Sequence, residues 1–360
     1  MSFNAEQIAY AGNAAINYFL KNDPIDQVNI AHPLLEKLVA GKQEYSGALQ
    51  YVVEQIRYQN DSNFQSFFGS SQVTYNRKRT LNQAKYTWGA FHDGFGLDED
   101  ELAQNGISMT EDKSATPTGD EKVQLTNLLE ENMETLKLGF QDGLDLMLHR
   151  DGTQSELDIP GIDALVSLTP SSGTVGGIAA SNAYWQNYAD LTAGASGNDV
   201  LEAMEKAWRA CIRYGGSAPD FIIAGSDYID AYRVAAGSPG GAIQRQVIVG
   251  GSTGNKQATT LDGSVGSGVK TGLYFKGIEI VWDPMFERLD ALDSPTTTWA
   301  SRCYFLNTKF LKLRPIKGQW MVSRRPPRVY DRYVHYFALT ARAALTTGKR
   351  NAHAVLALDV

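Results

Sequence analysis

One stretch constrains this chain more than any other. Between Thr118 and Asp151, apolar residues recur at helical intervals as Leu125, Leu128, Leu129, Met133, Leu136, Phe140, Leu144 and Met147. That spacing is the period of an α-helix with one apolar face. Thr118 followed by Glu121 makes a capping box at its start, and Asp151-Gly152 stops it. Acidic residues, Glu130, Glu131, Glu134, Asp142 and Asp145, occupy the other positions. The predicted helix has about 30 residues, or ~45 Å at 1.5 Å per residue, against a mean near ~11–12 residues in globular proteins. A helix this long, apolar on one side only, suits an elongated subunit that lies against neighbours.

The segments around it fall into an order. Ile8, Ala11, Ala15, Tyr18 and Phe19 mark a short amphipathic helix ended by Pro24, and His32-Pro33-Leu34-Leu35 opens another that gives out near Gly41. Leu49 to Tyr58 and Val73 to Trp88 read as the two strands of a hairpin, with Ala84, Tyr86, Trp88 and Ala90 on one face. The tip between them is polar and turn-rich, yet carries Phe64, Phe67 and Phe68. Aromatic residues on a lone hairpin are an aggregation hazard unless another chain covers them. The acidic run at 98–101 lacks the alternating ligands and central glycine of a calcium loop, and reads as solvated surface. From about 155 to 320, short strands and helices alternate as in a mixed α/β module. Asp199 and Glu202 are placed to cap a helix whose face is Leu201, Met204, Trp208, Cys211 and Ile212. Phe221 to Ala224 reads as a buried strand, and a Gly-rich stretch runs from Gly237 to Gly272. Strand character resumes at 273–282 and 303–313. The chain closes on an alternating run from Tyr333 to Leu345, a turn at Thr346-Thr347-Gly348, and a return from Ala352 to Leu358, read together as a β-hairpin. The long helix and this closing pair can then form one domain with the α/β module inserted.

Composition narrows the function classes. Of 360 residues, 43% are hydrophobic and 20% charged, which suffices for sizeable cores. The net charge of −7 argues against tight duplex binding, which draws on cations that neutralise phosphates. It is compatible with a wall that encloses nucleic acid without gripping it. Cys211 and Cys303 are far apart and read as buried free thiols. No stretch is apolar for the ~18 residues of a membrane span. The start, Met1 to Glu6, lacks the basic and apolar regions of a signal peptide, so folding in the cytoplasm is expected.

Catalytic patterns are missing. His32, His92, His149, His335 and His353 lie in unrelated sequence contexts, with no nucleophile elbow and no His-Glu-x-x-His spacing. Gly251 to Lys256 and Gly263 to Thr271 approach a phosphate loop, but each has a residue between the last Gly and the Lys. A late basic cluster, Lys309, Lys312, Arg314, Lys317, Arg324, Arg325, Arg328 and Arg332, reads equally as a solvated face or as a surface matched to acidic residues or DNA. Pro326-Pro327 sets a stiff bend ahead of the closing strands.

Three short runs are more specific. Gly161-Ile162-Asp163-Ala164-Leu165-Val166, then Gly173-Thr174-Val175-Gly176-Gly177-Ile178, then Asn182-Ala183-Tyr184-Trp185-Gln186-Asn187 follow the long helix. This stretch resembles one that recurs in the major capsid proteins of tailed bacteriophages. Asp61-Ser62-Asn63-Phe64 within a hairpin and the closing β pair fall in matching places. By order of elements the resemblance covers most of the chain.

The resemblance implies an α+β chain of the Hong Kong 97-type capsid fold. Residues 1–45 are similar to the N-terminal arm. Residues 46–117 would hold the extended hairpin, or E-loop, and its connector. Residues 118–154 and 326–360 would form the peripheral domain, with the spine helix and closing β-hairpin, and 155–325 the inserted axial domain. The implied function is structural, without catalytic residues, metal or cofactor: a subunit assembling into the hexamers and pentamers of an icosahedral head. The implied partners are copies of itself, a scaffolding protein, a portal, a decoration protein and packaged double-stranded DNA contacted without sequence specificity, with no membrane. The implied location is the virion capsid, assembled in the host cytoplasm. Candidate inter-subunit contacts are Tyr58, Phe64, Phe67, Phe68, Tyr75, Arg77 and Lys78 of the hairpin. Candidate charged interface residues are Glu130, Glu131 and Glu134 against Arg324, Arg325 and Arg328. Two alternatives compete: the shell of an encapsulin-like nanocompartment, and a soluble α/β enzyme with the module as its active domain.

Overall fold

The computed structural model describes residues 30–47, 50–98, 100, 119–195, 199–214, 217–237, 270–324, 326 and 334–359, with the backbone alone at 119–130, 237 and 270–271. The predicted N-terminal helix, the residue Thr118, half of the acidic run, most of the Gly-rich stretch, and the first phosphate-loop near-match lie outside the described residues. The chain divides into two compact units, one of residues 1–30, 90–144 and 318–342, the other of 31–89, 145–317 and 343–360.

In the first unit, strand β3 (Gly89–Asp98) pairs with the early part of a long strand, β13 (Val334–Thr347). The short strand β12 (Val322–Arg324) pairs with the same strand through Val322↔Thr340 and Arg324↔Ala338. Two glycines allow the close approach of β3. A Cβ at Gly94 would lie 2.8 Å from the Phe337 carbonyl oxygen, and one at Gly96 2.8 Å from Val334. Between them Phe95 stacks on Phe337. The long helix runs from Gly119 to His149, and Leu136, Phe140 and Leu144 bury its stripe as the spacing predicts.

The second unit is built on a six-stranded mixed sheet in the order β6-β14-β10-β7-β9-β8. Its strands are β6 (Tyr188–Ala193), β7 (Phe221–Ala224), β8 (Lys270–Phe275), β9 (Ile278–Trp282), β10 (Arg302–Leu306) and β14 (Ala354–Leu358). Every residue of β7 and β10 is buried. Strands covered on both faces read as unbroken apolar runs, and Phe221-Ile222-Ile223-Ala224 is such a run. On one face Cys303, Phe305, Ile222 and Leu356 pack with two helices, Val200–Ile212 and Ser226–Gly237, through Met204, Ala207, Cys211, Tyr228 and Tyr232. On the other face Tyr304 meets Phe286 and Trp299. Both cysteines are free and buried, and burial pushes the Cys211 thiol up to about 12.

Three expectations need correction. The two closing strands do not form a hairpin. β13 pairs instead with β11 (Leu311–Pro315), while β14 joins the six-stranded sheet, antiparallel to β10 and parallel to β6. The run Ala354-Val355-Leu356-Ala357 is buried throughout, and only a sheet centre satisfies that pattern. Asp199 sits at the helix N-cap but its side chain makes no capping bond; its carbonyl accepts from the Ala203 N–H instead. The hairpin strands are shorter than predicted, β1 (Val52–Arg57) pairing with β2 (Leu81–Tyr86). Beyond them one more backbone bond joins the Tyr58 N–H to the Thr80 carbonyl, and from Gln59 to Arg79 the residues are exposed apart from Val73, so regular pairing gives way to isolated rungs.

The recognised stretch, which carries the short paired strands β4 (Thr174–Val175) and β5 (Ile178–Ala179), is a buried junction. Arg350, itself fully buried, donates from Nε to the Leu165 carbonyl and from Nη1 to the carbonyls of Pro170 and Trp185. Trp185 Nε1 donates to the Val175 carbonyl, and Asp163 accepts from Arg302 and Tyr304. A Cβ at Gly161 would lie 2.3 Å from the Arg150 carbonyl oxygen, so no other residue fits there.

Candidate functional site

The hairpin root is anchored to the body of the second unit. Val52, Ile56, Ala84 and Tyr86 are buried, the Tyr86 hydroxyl donates to the Thr347 carbonyl, and Lys85 N–H donates to the Gly176 carbonyl. Glu54 accepts from Arg314 Nη2 at 2.6 Å and from the Thr346 hydroxyl at 3.2 Å. Past the root the picture inverts. From Gln59 to Arg79 every residue is exposed except the half-buried Val73. Phe64, Phe68 and Tyr75 are 93%, 91% and 89% exposed, and Phe67 69%. The two sides stay together through rungs: Gln59 donates to the Arg79 carbonyl, Asn63 to the Asn76 carbonyl, and Lys78 pairs with Asp61 at 3.0 Å. A turn closes at Phe68–Ser71. Arg77 is exposed. Tyr58, at the root, is half-buried and tilts against Tyr184 with ring centroids 5.4 Å apart.

A groove of about 500 Å³ opens at this root. Tyr58, Tyr184, Tyr214 and Phe310 give it aromatic walls, and Arg57, Lys349 and Arg350 its charge. No acidic residue lines it. Lys349 Nζ donates to the Tyr214 carbonyl and lies 5.5 Å from the Phe310 ring centre. Sequence reading does not reveal this groove, because its lining comes from five separate segments.

Of the charged candidates, Glu131 and Glu134 are exposed on the long helix, and the exposed Arg324 donates to the Thr340 hydroxyl and to Gln319 Oε1. The side chain of Glu130, and Arg325 and Arg328 entirely, lie outside the described residues. Among the described residues, no hydrogen bond or ion pair joins Glu131 or Glu134 to Arg324.

A second cluster was missed. Asp145, taken as a surface acid, is fully buried, and so is His149 one turn on. His32, just ahead of the helix Pro33–Ala40, donates from Nδ1 to Asp145 Oδ2 at 3.0 Å. His149 donates from Nδ1 to the Asp145 carbonyl at 2.8 Å and from Nε2 to Asp283 Oδ2 at 3.0 Å. Both ring nitrogens thus face acceptors, which only the imidazolium satisfies. Burial alone lowers the His149 pKa; the charges of Asp145 and Asp283, with their hydrogen bonds, overcome it and hold it at about 9. Asp145, His149 and Asp283 also offer ligand atoms within 4.8 Å of one another. With both imidazole nitrogens committed as donors, the arrangement suits a proton rather than a cation. The cluster is sealed from solvent, and Phe286 and Trp299 pack edge-on against the ring, so it ties segments together rather than presenting a reactive group. The available signal was Asp145 and His149 four residues apart, interleaved with buried Leu144 and Leu148.

The ordering of long helix, projecting hairpin and mixed-sheet module defines a class: this is the fold of phage capsid subunits. The likeness extends over nearly the whole chain. The cyanophage A-1(L) capsid asymmetric unit superposes with a TM-score of 0.59 at 14% identity, covering 96% of this chain and 98% of that one. The capsid of Myoviridae phage XM1 gives 0.54 at 12% identity over 95% and 97%. A chain of Mycobacterium phage Bobi gives 0.53 at 11% identity over 96% and 98%. No family model and no curated protein matches the sequence. The resemblance carried by residues 161–187 thus led to the right fold.

Proposed function

We propose that this chain is the major shell-building subunit of a phage head, assembling with copies of itself into hexamers and pentamers that enclose double-stranded DNA. One observation carries the reading beyond the fold: a hairpin held in shape by its own rungs presents four aromatic side chains to solvent, where burial in the chain stabilises nothing. Such a patch marks an interaction surface, and a closed shell of identical copies supplies one cover per subunit. Residues 46–117 then act as the E-loop and its connector, 118–154 and 326–360 as the peripheral domain, and 155–325 as the axial domain. A scaffolding protein, a portal and a decoration protein are the further partners, with assembly in the host cytoplasm and residence in the virion. The likeness to named phage capsids favours a phage head over the nanocompartment and enzyme readings.

The test is a double substitution, Phe67→Ser with Phe68→Ser, in the chain produced with its neighbouring reading frames. Negative-stain electron microscopy is expected to show shells from the unsubstituted chain and few or none from the variant, whose subunit melts at an unchanged temperature. Normal shells from the variant would remove the hairpin from the assembly contact.

A further inference from the structure

Positive charge collects around the groove at the hairpin root. Arg57, Lys349 and Arg350 line it. Two more cations stand over rings of its wall: Arg213 lies 5.5 Å from the centre of Tyr214, and Lys309 5.7 Å from that of Phe310. Among the described residues, no carboxylate pairs with Arg57, Arg213, Lys309 or Arg350. Glu54, on the same strand as Arg57, is committed to Arg314 and Thr346, and Asp220 to Thr308. Arg350 is the strongest case. It is fully buried, its Nε and Nη1 reach only neutral carbonyls, and its Nη2 has no acceptor. A buried cation without a counter-charge is costly, and burial brings its pKa down to about 10. Lys349 is likewise held below the usual lysine range, by burial and by the charge of Lys309. Like charges gathered in this way repel, and nothing in the packing of the subunit is gained by it.

An anion resolves the imbalance, and the groove limits which one. Its volume of about 500 Å³ lies within the ~300–1,000 Å³ of sites for compact ligands. A carboxylate brings a single charge. A phosphate monoester brings about −1.5 to −2, with three strong acceptor oxygens, and so meets several cationic donors at once. Neutral donors are present too. The Tyr184 hydroxyl accepts from Asn82 Nδ2 and keeps its own proton to give. Tyr214, 55% exposed, offers a ring on which a base can stack. We infer that the groove at the hairpin root binds a phosphate group, presented by a free nucleotide or by a single strand of nucleic acid. The site stands apart from the shell reading, since it requires only the folded subunit. It also sits within the low overall affinity for duplex expected of a chain of net charge −7, because the cations are local.

The experiment titrates the purified full-length chain by calorimetry with inorganic phosphate, adenosine 5′-monophosphate, adenosine, a short oligothymidylate and an oligoglutamate. Phosphate and adenosine 5′-monophosphate are expected to bind, and adenosine is not. Lys349→Gln with Arg57→Gln is expected to weaken both by roughly tenfold or more, since each change removes a charged hydrogen bond. Lys85→Gln with Lys317→Gln removes the same charge at exposed positions outside the groove and is expected to leave both unchanged. Lys349 also holds the Tyr214 carbonyl. Should its variant unfold, Arg57→Glu, at an exposed strand position, is expected to give the loss alone. Oligothymidylate that binds more tightly than the mononucleotide, and is lost in the same variants, assigns the phosphate to nucleic acid; equal or weaker binding assigns it to a free nucleotide. Binding of oligoglutamate alone makes the groove a docking surface for an acidic protein and overturns the inference. So does the failure of every phosphate probe to bind, or an equal loss in the control variant.

Discussion

Phe305 and Phe68 are the same side chain in opposite surroundings. Phe305 sits at the centre of the six-stranded sheet, wholly buried against Phe275 and the two covering helices. Phe68 sits on a hairpin tip with almost all of its surface in water. The first is explained by the subunit alone: burying a phenyl ring stabilises the fold by roughly 1.5–3 kcal/mol. The second is unexplained by the described residues of the subunit; on the proposed function another chain covers it. One sequence would then encode two layers of burial, and stability measurements on the subunit would register only the first.

Five measurements sharpen or break that contrast. Phe305→Ala is expected to cost roughly 3–5 kcal/mol in urea unfolding, enough to threaten folding. His149→Leu should cost a comparable ~3–5 kcal/mol, because it leaves Asp145 and Asp283 as buried charges without their cation. The same cluster sets a pH signature. His149 takes up a proton on folding, since its pKa rises from 6.5 to about 9. Its contribution is complete below 6.5 and is lost as pH rises through 9, with a slope of about 1.4 kcal/mol per pH unit in that window. His353 behaves oppositely. Burial drives its pKa down to about 3, helped by Arg350 and opposed by Asp220. It accepts from the Asn307 N–H and sits 3.2 Å from the Thr347 hydroxyl as a neutral ring. Its contribution is present above 6.5 and falls as the medium is acidified towards 3. Unfolding measured across pH should therefore flatten on the alkaline side in His149→Gln and on the acid side in His353→Gln.

Smaller effects follow at the root and the tip. Glu54→Gln weakens the bonds to Arg314 and Thr346 and is expected to cost roughly 1–2 kcal/mol. Phe68→Ala should change subunit stability by less than about 0.5 kcal/mol, as at other exposed positions, while reducing shell yield. A loss of more than 1 kcal/mol in the isolated subunit would show that the tip packs on its own body, and the contrast with Phe305 would collapse.

What the sequence made legible is what local patterning controls. The long helix was readable because Leu136, Phe140 and Leu144 recur on one face, and β7 because four apolar residues stand together. The root of the hairpin was readable from Ala84 and Tyr86. The illegible parts depend on distant segments. Asp145 reads as a surface acid on an isolated helix; it becomes buried because His32, 113 residues before it, supplies a donor, and because Asp283, 134 residues after His149, completes the bridge. The partner of β14 was misread for a similar reason. A strand's apolar run announces that it is central, but not which strands flank it. Asp199 carries the right residue type for a cap, yet the bond itself depends on a rotamer that spacing does not fix.

The place of β14 has a consequence in time. Ala354–Leu358 is the wedge between β6 and β10, and among the described residues β6 has no other neighbour in its sheet. While a ribosome is still adding residues, the two sides of that sheet stand apart and β10 keeps an open edge. Arg350, which knits residues 165–185 together, emerges only moments before. The interior thus waits for residues 354–358, whereas the hairpin strands at 52–86 emerge about 270 residues earlier. Ribosomes crowded on one message would hold many such tips close together before any core has closed. The rungs and polar residues that keep the tip extended and soluble are, in that interval, a safeguard against meeting the wrong surface too soon.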